Sequence, residues 1–218
     1  MPDASILRRQ FMVDGQLRAR GVTDLRLLGA FLDLPREPFV AREFAPFAYL
    51  DRQAPARGAP GRLMLEPATL AKLIQALGVR EGERALEVAG GAGYGAALLA
   101  GMGADVVLLE ADAAALKAAD AAIPSGLAVA YVAGDLALGA PRQAPFDAIL
   151  LSCGFEANLD YLLGQLAAGG RLVGVEVGAT ASQAMLIEKS ASGFSRRALF
   201  DAAASVPAAF ARGEAFAF

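Results

Sequence analysis

The sequence predicts an α/β protein: a doubly wound sheet of seven strands with helices on both faces, an N-terminal helical extension and a C-terminal antiparallel hairpin. Three observations carry this. From residue 84 to residue 177 short apolar runs alternate with helical patterns, as in a parallel sheet covered on both faces. The first of those runs passes through a glycine-rich turn, Ala89-Gly90-Gly91-Ala92-Gly93, directly into a helical pattern. Two further strand-like runs, 183–189 and 195–200, are joined by Ala191-Ser192-Gly193, a hairpin signal at a sheet edge.

Residues 4–20 read as a helix with Ile6, Leu7, Phe11, Val13 and Leu17 mostly on one side, stopped by Gly21. Thr23 is placed to cap a second helix carrying Leu25, Leu28, Phe31 and Leu32, which ends before Pro35. From there to about residue 62, Pro38, Pro46, Pro55 and Pro60 break every periodic pattern, which predicts a lid or a wrapping arm. Pro67 suits the first turn of the next helix, whose stripe of Leu70, Leu73, Ile74 and Leu77 closes at Gly78. There follow strand 84–89, helix 93–101, strand 105–110, helix 112–122, strands 127–132 and 146–152, helix 156–167 and strand 171–177. The chain thus divides into a helical and wrapping segment, 1–66, and a sheet domain, 67–218.

Composition narrows the function. The 218 residues, 56% of them hydrophobic, suffice for one large domain with a substantial core. A net charge of −3 with scattered Lys and Arg offers no phosphate-tracking surface, so no nucleic-acid partner is expected. The apolar runs are broken by Gly, Asp or Arg before they reach membrane-spanning length, so no membrane partner is expected either. Cys153 is the single cysteine and residues 1–11 show no leader pattern, which together suggest a cytoplasmic protein. Without any histidine the chain lacks the usual zinc ligand and the usual base of serine and cysteine hydrolases, and no metal is expected.

The glycine turn reads as a small-ligand platform, because Gly91 and Gly93 let a ligand approach bare backbone. In a doubly wound sheet an acid ending the second strand, about 20 residues downstream, can accept hydrogen bonds from a ribose diol. Glu110, after Val106-Val107-Leu108-Leu109, stands there. Asp135 of Gly134-Asp135 follows the third strand at the same edge and is either an acceptor for an adenine amino group or a turn residue. The fourth strand ends at Ser152-Cys153-Gly154, facing the reactive part of the ligand; with no base beside it, Cys153 reads as a small buried apolar residue.

The order of glycine turn, Glu110, Gly134-Asp135, Pro145-Phe146-Asp147 and Gly169-Gly170-Arg171-Leu172-Val173 resembles class I S-adenosylmethionine (SAM) dependent methyltransferases with their Rossmann-like sheet. More narrowly, the chain resembles the protein-L-isoaspartate O-methyltransferase family. The residues that carry this are Met12-Val13 with Gln16-Leu17, Gly21-Val22-Thr23-Asp24, Pro35-Arg36-Glu37-Pro38-Phe39-Val40, Ala48-Tyr49-Leu50-Asp51, Leu86-Glu87 and Gly93-Tyr94. The resemblance covers roughly residues 8 to 178. It implies SAM as cosubstrate, a protein or peptide carboxylate as acceptor, and a cosubstrate site formed by Glu87, Ala89, Gly91, Gly93, Tyr94, Glu110 and Asp135.

Three positions depart from the family pattern. Ala89 stands at the first glycine of the loop, and either strain at positive φ or intrusion of its methyl would weaken SAM binding unless Gly90 lets the turn re-register. The family's Thr-Ile-Ser-Gln-Pro substrate loop corresponds to Leu63-Met64-Leu65-Glu66-Pro67. There Leu65 takes the place of the serine near the transferred methyl, and Glu66 would repel a carboxylate if it pointed inward. Leu136 follows Gly-Asp where the family commonly has Gly. Arg57 and Arg62 are candidates to grip a substrate carboxylate. The alternatives are a family member that lost methyl transfer and acts as a SAM-binding or regulatory module, and, from the G-x-G-x-x-A match at Gly91–Ala96, a dinucleotide oxidoreductase.

Overall fold

The computed structural model describes residues 4–213. Helix α1 (Ala4–Met12) runs on through a π-helical turn at Val13–Leu17 and a 3-10 turn at Arg18–Arg20 to Gly21, which ends it at φ 84°. The buried side differs from the predicted one: Met12, Val13 and Leu17 are buried, whereas Ile6 and Leu7 are half-exposed and Phe11 is 74% exposed. The i→i+5 bonds of the π turn shift the register, so an apolar face counted at 3.6 residues does not continue across it. Helix α2 (Leu25–Asp33) is capped by Asp24, not by Thr23. The Asp24 carboxylate accepts from the amides of Arg26 and Leu27 at 2.9 and 3.2 Å, while the Thr23 amide donates to Gln75 Oε1 at 2.6 Å.

The proline-rich stretch is an arm built on a 3-10 turn (Arg42–Phe47) and a two-stranded ladder, β1 (Ala54–Pro55) antiparallel to β2 (Leu63–Met64). Then come α3 (Pro67–Leu77), β3 (Arg84–Val88), α4 (Tyr94–Gly101), β4 (Asp105–Glu110), α5 (Ala113–Ala122), β5 (Val129–Ala133) and β6 (Phe146–Phe155). The predicted helix 156–167 is reduced to α6 (Asp160–Gly164). It starts late because the amides of Glu156 and Ala157 donate to the Phe210 carbonyl and Asn158 adopts φ 65°. Its end is early because Leu166 already belongs to β7 (Leu166–Val177). The hairpin β8 (Ser182–Ser190) and β9 (Gly193–Asp201) closes the sheet, whose order is β5-β4-β3-β6-β7-β8-β9. Its first five strands are parallel and the hairpin adds antiparallel neighbours.

Alternation along each strand sends residues to opposite faces. Ala85, Leu108, Leu150 and Val173 join one core with α1 to α5 and the arm; Leu86, Val88, Leu109, Ile149, Leu151 and Leu172 join a second. That second face is covered by α6, by the loop after β5 and by the C-terminal segment through Phe210. The carboxyl ends of β4 and β5 border an open recess, on the side where ligands bind in sheets of this kind.

At the opposite edge Arg171 ties the layers together. Its guanidinium donates to the Leu77, Gly78 and Asp147 carbonyls at 2.5, 2.7 and 3.1 Å and pairs with Glu83 at 2.7 Å. Burial alone would raise the Glu83 carboxyl, yet hydrogen bonds from Arg171 and the Arg80 amide hold it below its ordinary value. Arg171→Met should therefore lower unfolding free energy by about 2–4 kcal/mol near neutral pH. Because a depressed acid stabilises only while ionised, the gap between wild type and variant should narrow below about pH 4. Denaturant titrations at both pH values check this, and a gap independent of pH would remove Glu83 from the account.

Candidate functional site

The turn between β3 and α4 lies over two carboxylates. Glu87, fourth residue of β3, points to the face covered by α4, where Ala96 N–H donates to it at 2.7 Å, the Ser152 hydroxyl donates at 2.5 Å and the Gly95 amide adds a third bond. A Cβ at Gly90 or Gly95 would collide with this carboxylate, which explains both glycines without any appeal to φ. Glu87 has 1% exposure, and burial pushes its carboxyl up to about 7 against the pull of these donors. The second carboxylate, Glu110, ends β4 with no exposure; its Oε1 accepts from Gly91 N–H at 2.5 Å and its Oε2 pairs with Arg62. Burial raises its pKa as well, opposed chiefly by Arg62.

Ala89 adopts φ 60°, so the anomaly in the loop is a left-handed alanine. Gly90 does not take over the strained position: among the loop residues positive φ falls on Ala89, Gly91 and Gly93. Gly91, at φ 61°, lies under the arm, where an added Cβ would come within 2.7 Å of the Ala56 methyl. Gly93, at φ 77°, precedes α4, and a Cβ there would meet Leu108 Cδ2 at 2.7 Å.

A cavity of about 450 Å³ opens beside these residues, lined by Arg62, Ala111, Asp112, Asp135, Leu136, Pro207, Ala208 and Ala209. Asp135 is exposed there, and its Oδ1 accepts from Ala137 N–H at 2.8 Å, so it is a turn residue that also borders the cavity. Glu110 is screened from the cavity by Arg62. On the other side of the loop a void of about 10 Å³, the size of one water, lies between Met64, Leu65, Leu70, Glu87, Gly90, Tyr94, Gly95 and Ser152. Leu65 is buried and forms part of its wall. Glu66 is turned to α3, where the Thr69 hydroxyl donates to it at 3.0 Å, so its charge is engaged at the start of that helix.

The Tyr94 side chain faces the N-terminal helices, with its ring 5.9 Å from Phe31 and 5.0 Å from Phe39. Beside it lies Arg36, fully buried, its guanidinium carbon 5.0 Å from the ring centroid and its Nη2 donating to the Leu65 carbonyl at 2.8 Å. Burial lowers the Arg36 pKa, and its Nε and Nη1 have no hydrogen-bond partner among the described residues. Cys153 is buried with its thiol pushed far up by desolvation, as its apolar reading requires. Arg57 donates to the Pro38 carbonyl at 2.9 Å and serves the arm.

Sequence reasoning missed three contributions to the site. The C-terminal segment supplies a cavity wall because its backbone accepts from Gly154 and Glu156 N–H at 2.8 and 2.9 Å. Arg36 carried no signal beyond its motif, and the pairing of Arg62 with Glu110 spans 48 positions with nothing local to mark it.

Two consequences are measurable. Left-handed φ costs an L-residue about 1–2 kcal/mol, whereas a lost methyl and added glycine entropy together cost about the same. Ala89→Gly should accordingly be close to neutral in stability, although an unstrained buried alanine would lose stability on this change. A loss of a full kcal/mol in denaturant unfolding would show the turn to be unstrained. A raised acid favours the folded state fully below its unfolded pKa and loses that advantage as pH climbs through the folded value. The stability of wild type relative to Glu87→Gln should thus fall by up to about 3 kcal/mol from pH 4.5 to 7.5; a constant difference would assign the titration elsewhere.

With this geometry in hand, the likenesses to known proteins are informative. The family model for protein-L-isoaspartate(D-aspartate) O-methyltransferase matches residues 8–209. A protein-L-isoaspartate O-methyltransferase of Methylorubrum populi is 46% identical over 187 residues, 85% of each chain, and one of Koribacter versatilis is 35% identical over 203 residues, 92% of this chain and 90% of its own. A solved protein-L-isoaspartate O-methyltransferase superposes with a TM-score of 0.80 at 23% identity, covering 93% of this chain and 67% of its own, and shows the same fold. A Plasmodium falciparum structure assigned to the same family, in complex with S-adenosyl-L-homocysteine, gives 0.72 at 19% identity over 91% and 96%. The dinucleotide oxidoreductase reading has no place beside a match of this extent. The chain belongs to the protein-L-isoaspartate(D-aspartate) O-methyltransferase family.

Proposed function

We propose that this chain is a SAM-dependent O-methyltransferase acting on a carboxylate of damaged aspartyl residues in a protein or peptide. The observation that carries the reading is the 450 Å³ cavity at the carboxyl edge of the sheet, bordered by Asp135 and backed by the Arg62-paired Glu110, in a member of this family. An adenosine moiety fits such a recess. Asp135 is the acceptor for its amino group and Glu110 for the ribose diol. SAM supplies an electrophilic methyl group on a sulfonium.

The protein's share of the chemistry is positioning. A carboxylate acceptor is already ionised near neutral pH, so the reaction needs no general base and the absence of histidine is no obstacle. Cation and anion neutralise one another in the transition state, which favours a dry enclosure such as the one under Leu65. Glu87 and the loop carbonyls offer the acidic wall that a sulfonium prefers. The Leu65 side chain contributes no hydrogen bond, and the acceptor must displace the Leu63–Leu65 stretch to reach a void the size of one water.

Calorimetric titration should show binding of SAM and S-adenosyl-L-homocysteine, weakened about tenfold or more in Glu110→Gln by loss of a charged acceptor. Methyl-labelled SAM should then yield an alkali-labile ester on an isoaspartyl peptide and none on its aspartyl counterpart. Ligand binding without transfer would leave the fold but remove the proposed reaction.

A further inference from the structure

Arg62 stands where the cosubstrate should meet its ribose acceptor. It lines the cavity together with Ala111, Asp112 and Asp135, while Glu110 behind it has no exposed surface and does not line the cavity. One carboxylate oxygen of Glu110 accepts from Arg62 Nη2 and the other from Gly91 N–H, so both oxygens are engaged. A ligand entering the cavity therefore meets a cation before it meets the acceptor.

The arm that carries Arg62 is closed onto the site. The Ala56 amide donates to the Arg62 carbonyl at 3.0 Å, the Arg62 amide to the Ala59 carbonyl at 3.1 Å, and the Arg57 amide to the Phe39 carbonyl at 3.0 Å. Ala56 lies against Gly91, and Gly58 fits so closely on the start of α5 that a Cβ would come within 2.7 Å of the Ala114 carbonyl carbon. The closed pose is incompletely satisfied, however. Among the described residues Arg62 Nε and Nη1 are buried without a hydrogen-bond partner, donors that would regain water on release.

We propose that Arg62 is a latch on the cosubstrate site: it holds Glu110 in the free protein, and a ligand carrying a vicinal diol takes that carboxylate only by displacing the guanidinium and loosening the arm. The inference rests on the methyltransferase reading for the identity of the ligand. Its thermodynamic consequence is a reduced apparent affinity, because only the unlatched fraction binds; a latch closed about nine-tenths of the time weakens binding about tenfold. The same motion uncovers the Leu63–Leu65 stretch, since β2 follows Arg62 directly, so cosubstrate binding prepares the acceptor end of the site.

The test compares wild type with Arg62→Ala and Arg62→Gln, each first checked for native circular dichroism. Calorimetry with S-adenosyl-L-homocysteine should give several-fold to about tenfold tighter binding to the variants. The gain should recur with adenosine and vanish with 2′,3′-dideoxyadenosine, which lacks the diol. Unchanged or weaker binding would overturn the latch and make Arg62 a ligand contact. Failure of wild type and variants alike to bind S-adenosyl-L-homocysteine would instead fell the methyltransferase reading. Hydrogen exchange tests the latch without any ligand: the amides of Ala56, Arg57 and Arg62 should exchange faster in the variants, and equal protection overturns the proposal. Should both variants misfold, wild type alone decides, since S-adenosyl-L-homocysteine must speed exchange in residues 56–62 and added protection there excludes displacement.

Discussion

The site depends on two buried carboxylates that grip one turn from opposite sides. Glu87 gathers the amides at the start of α4 from below, and Glu110 takes the Gly91 amide from the side. A helix N-terminus exposes unpaired N–H groups that attract negative charge, so a carboxylate beneath α4 both satisfies donors and fixes where the helix begins. The glycine pattern follows from this grip. Gly90 and Gly95 are small because Glu87 occupies the space a side chain would need, while Gly91 and Gly93 have positive φ as well as close neighbours. Ala89 breaks only the conformational requirement; its methyl is accommodated in the core on the α6 side of the sheet.

Burial raises the pKa of both carboxylates, and each is balanced differently. Glu87 relies on neutral donors, the Ser152 hydroxyl and backbone amides, and remains near the midpoint of its titration at neutral pH. Glu110 recruits a cation from 48 residues away. That difference separates a structural acid from one whose partner can be exchanged: amide donors belong to the fold, whereas the Arg62 side chain sits on an arm that reaches the site from outside the sheet.

Much of this was legible in the chain. Strand β4 begins and ends where its apolar run does, α3 lies between Pro67 and Gly78 as its caps dictate, and Glu110 ends β4 while Asp135 follows β5 at the same edge. These features are local, fixed by periodicity or by one residue's φ. What escaped reading was set by distant partners. Asp24, not Thr23, caps α2, with Gln75 of α3 accepting from both their amides, and α6 shortened because the C-terminal segment takes the amides that would have opened it. The same long-range logic hid the cavity wall at Pro207–Ala209 and the cover over Glu110.

The departures from the family pattern act on different halves of the site. Leu136 borders the open cavity and Leu65 the closed void, while Ala89 lies in the turn above Glu87. In the proposed reaction Leu65 offers an apolar wall where the family pattern has a serine hydroxyl. For a reaction in which a cation and an anion cancel, exclusion of water strengthens their attraction, so a leucine here trades a directional hydrogen bond for a lower local dielectric. The trade works only if the acceptor brings its own means of orientation. Arg36, buried under Leu65 and bonded to its carbonyl, keeps two guanidinium donors unpaired beneath that wall. A displaced Leu65 must break the bond to Arg36, so opening of the acceptor end releases a third donor on the same guanidinium. Arm, leucine and arginine are thus joined in one path, since Leu65 follows β2 of the arm directly and its carbonyl accepts from Arg36.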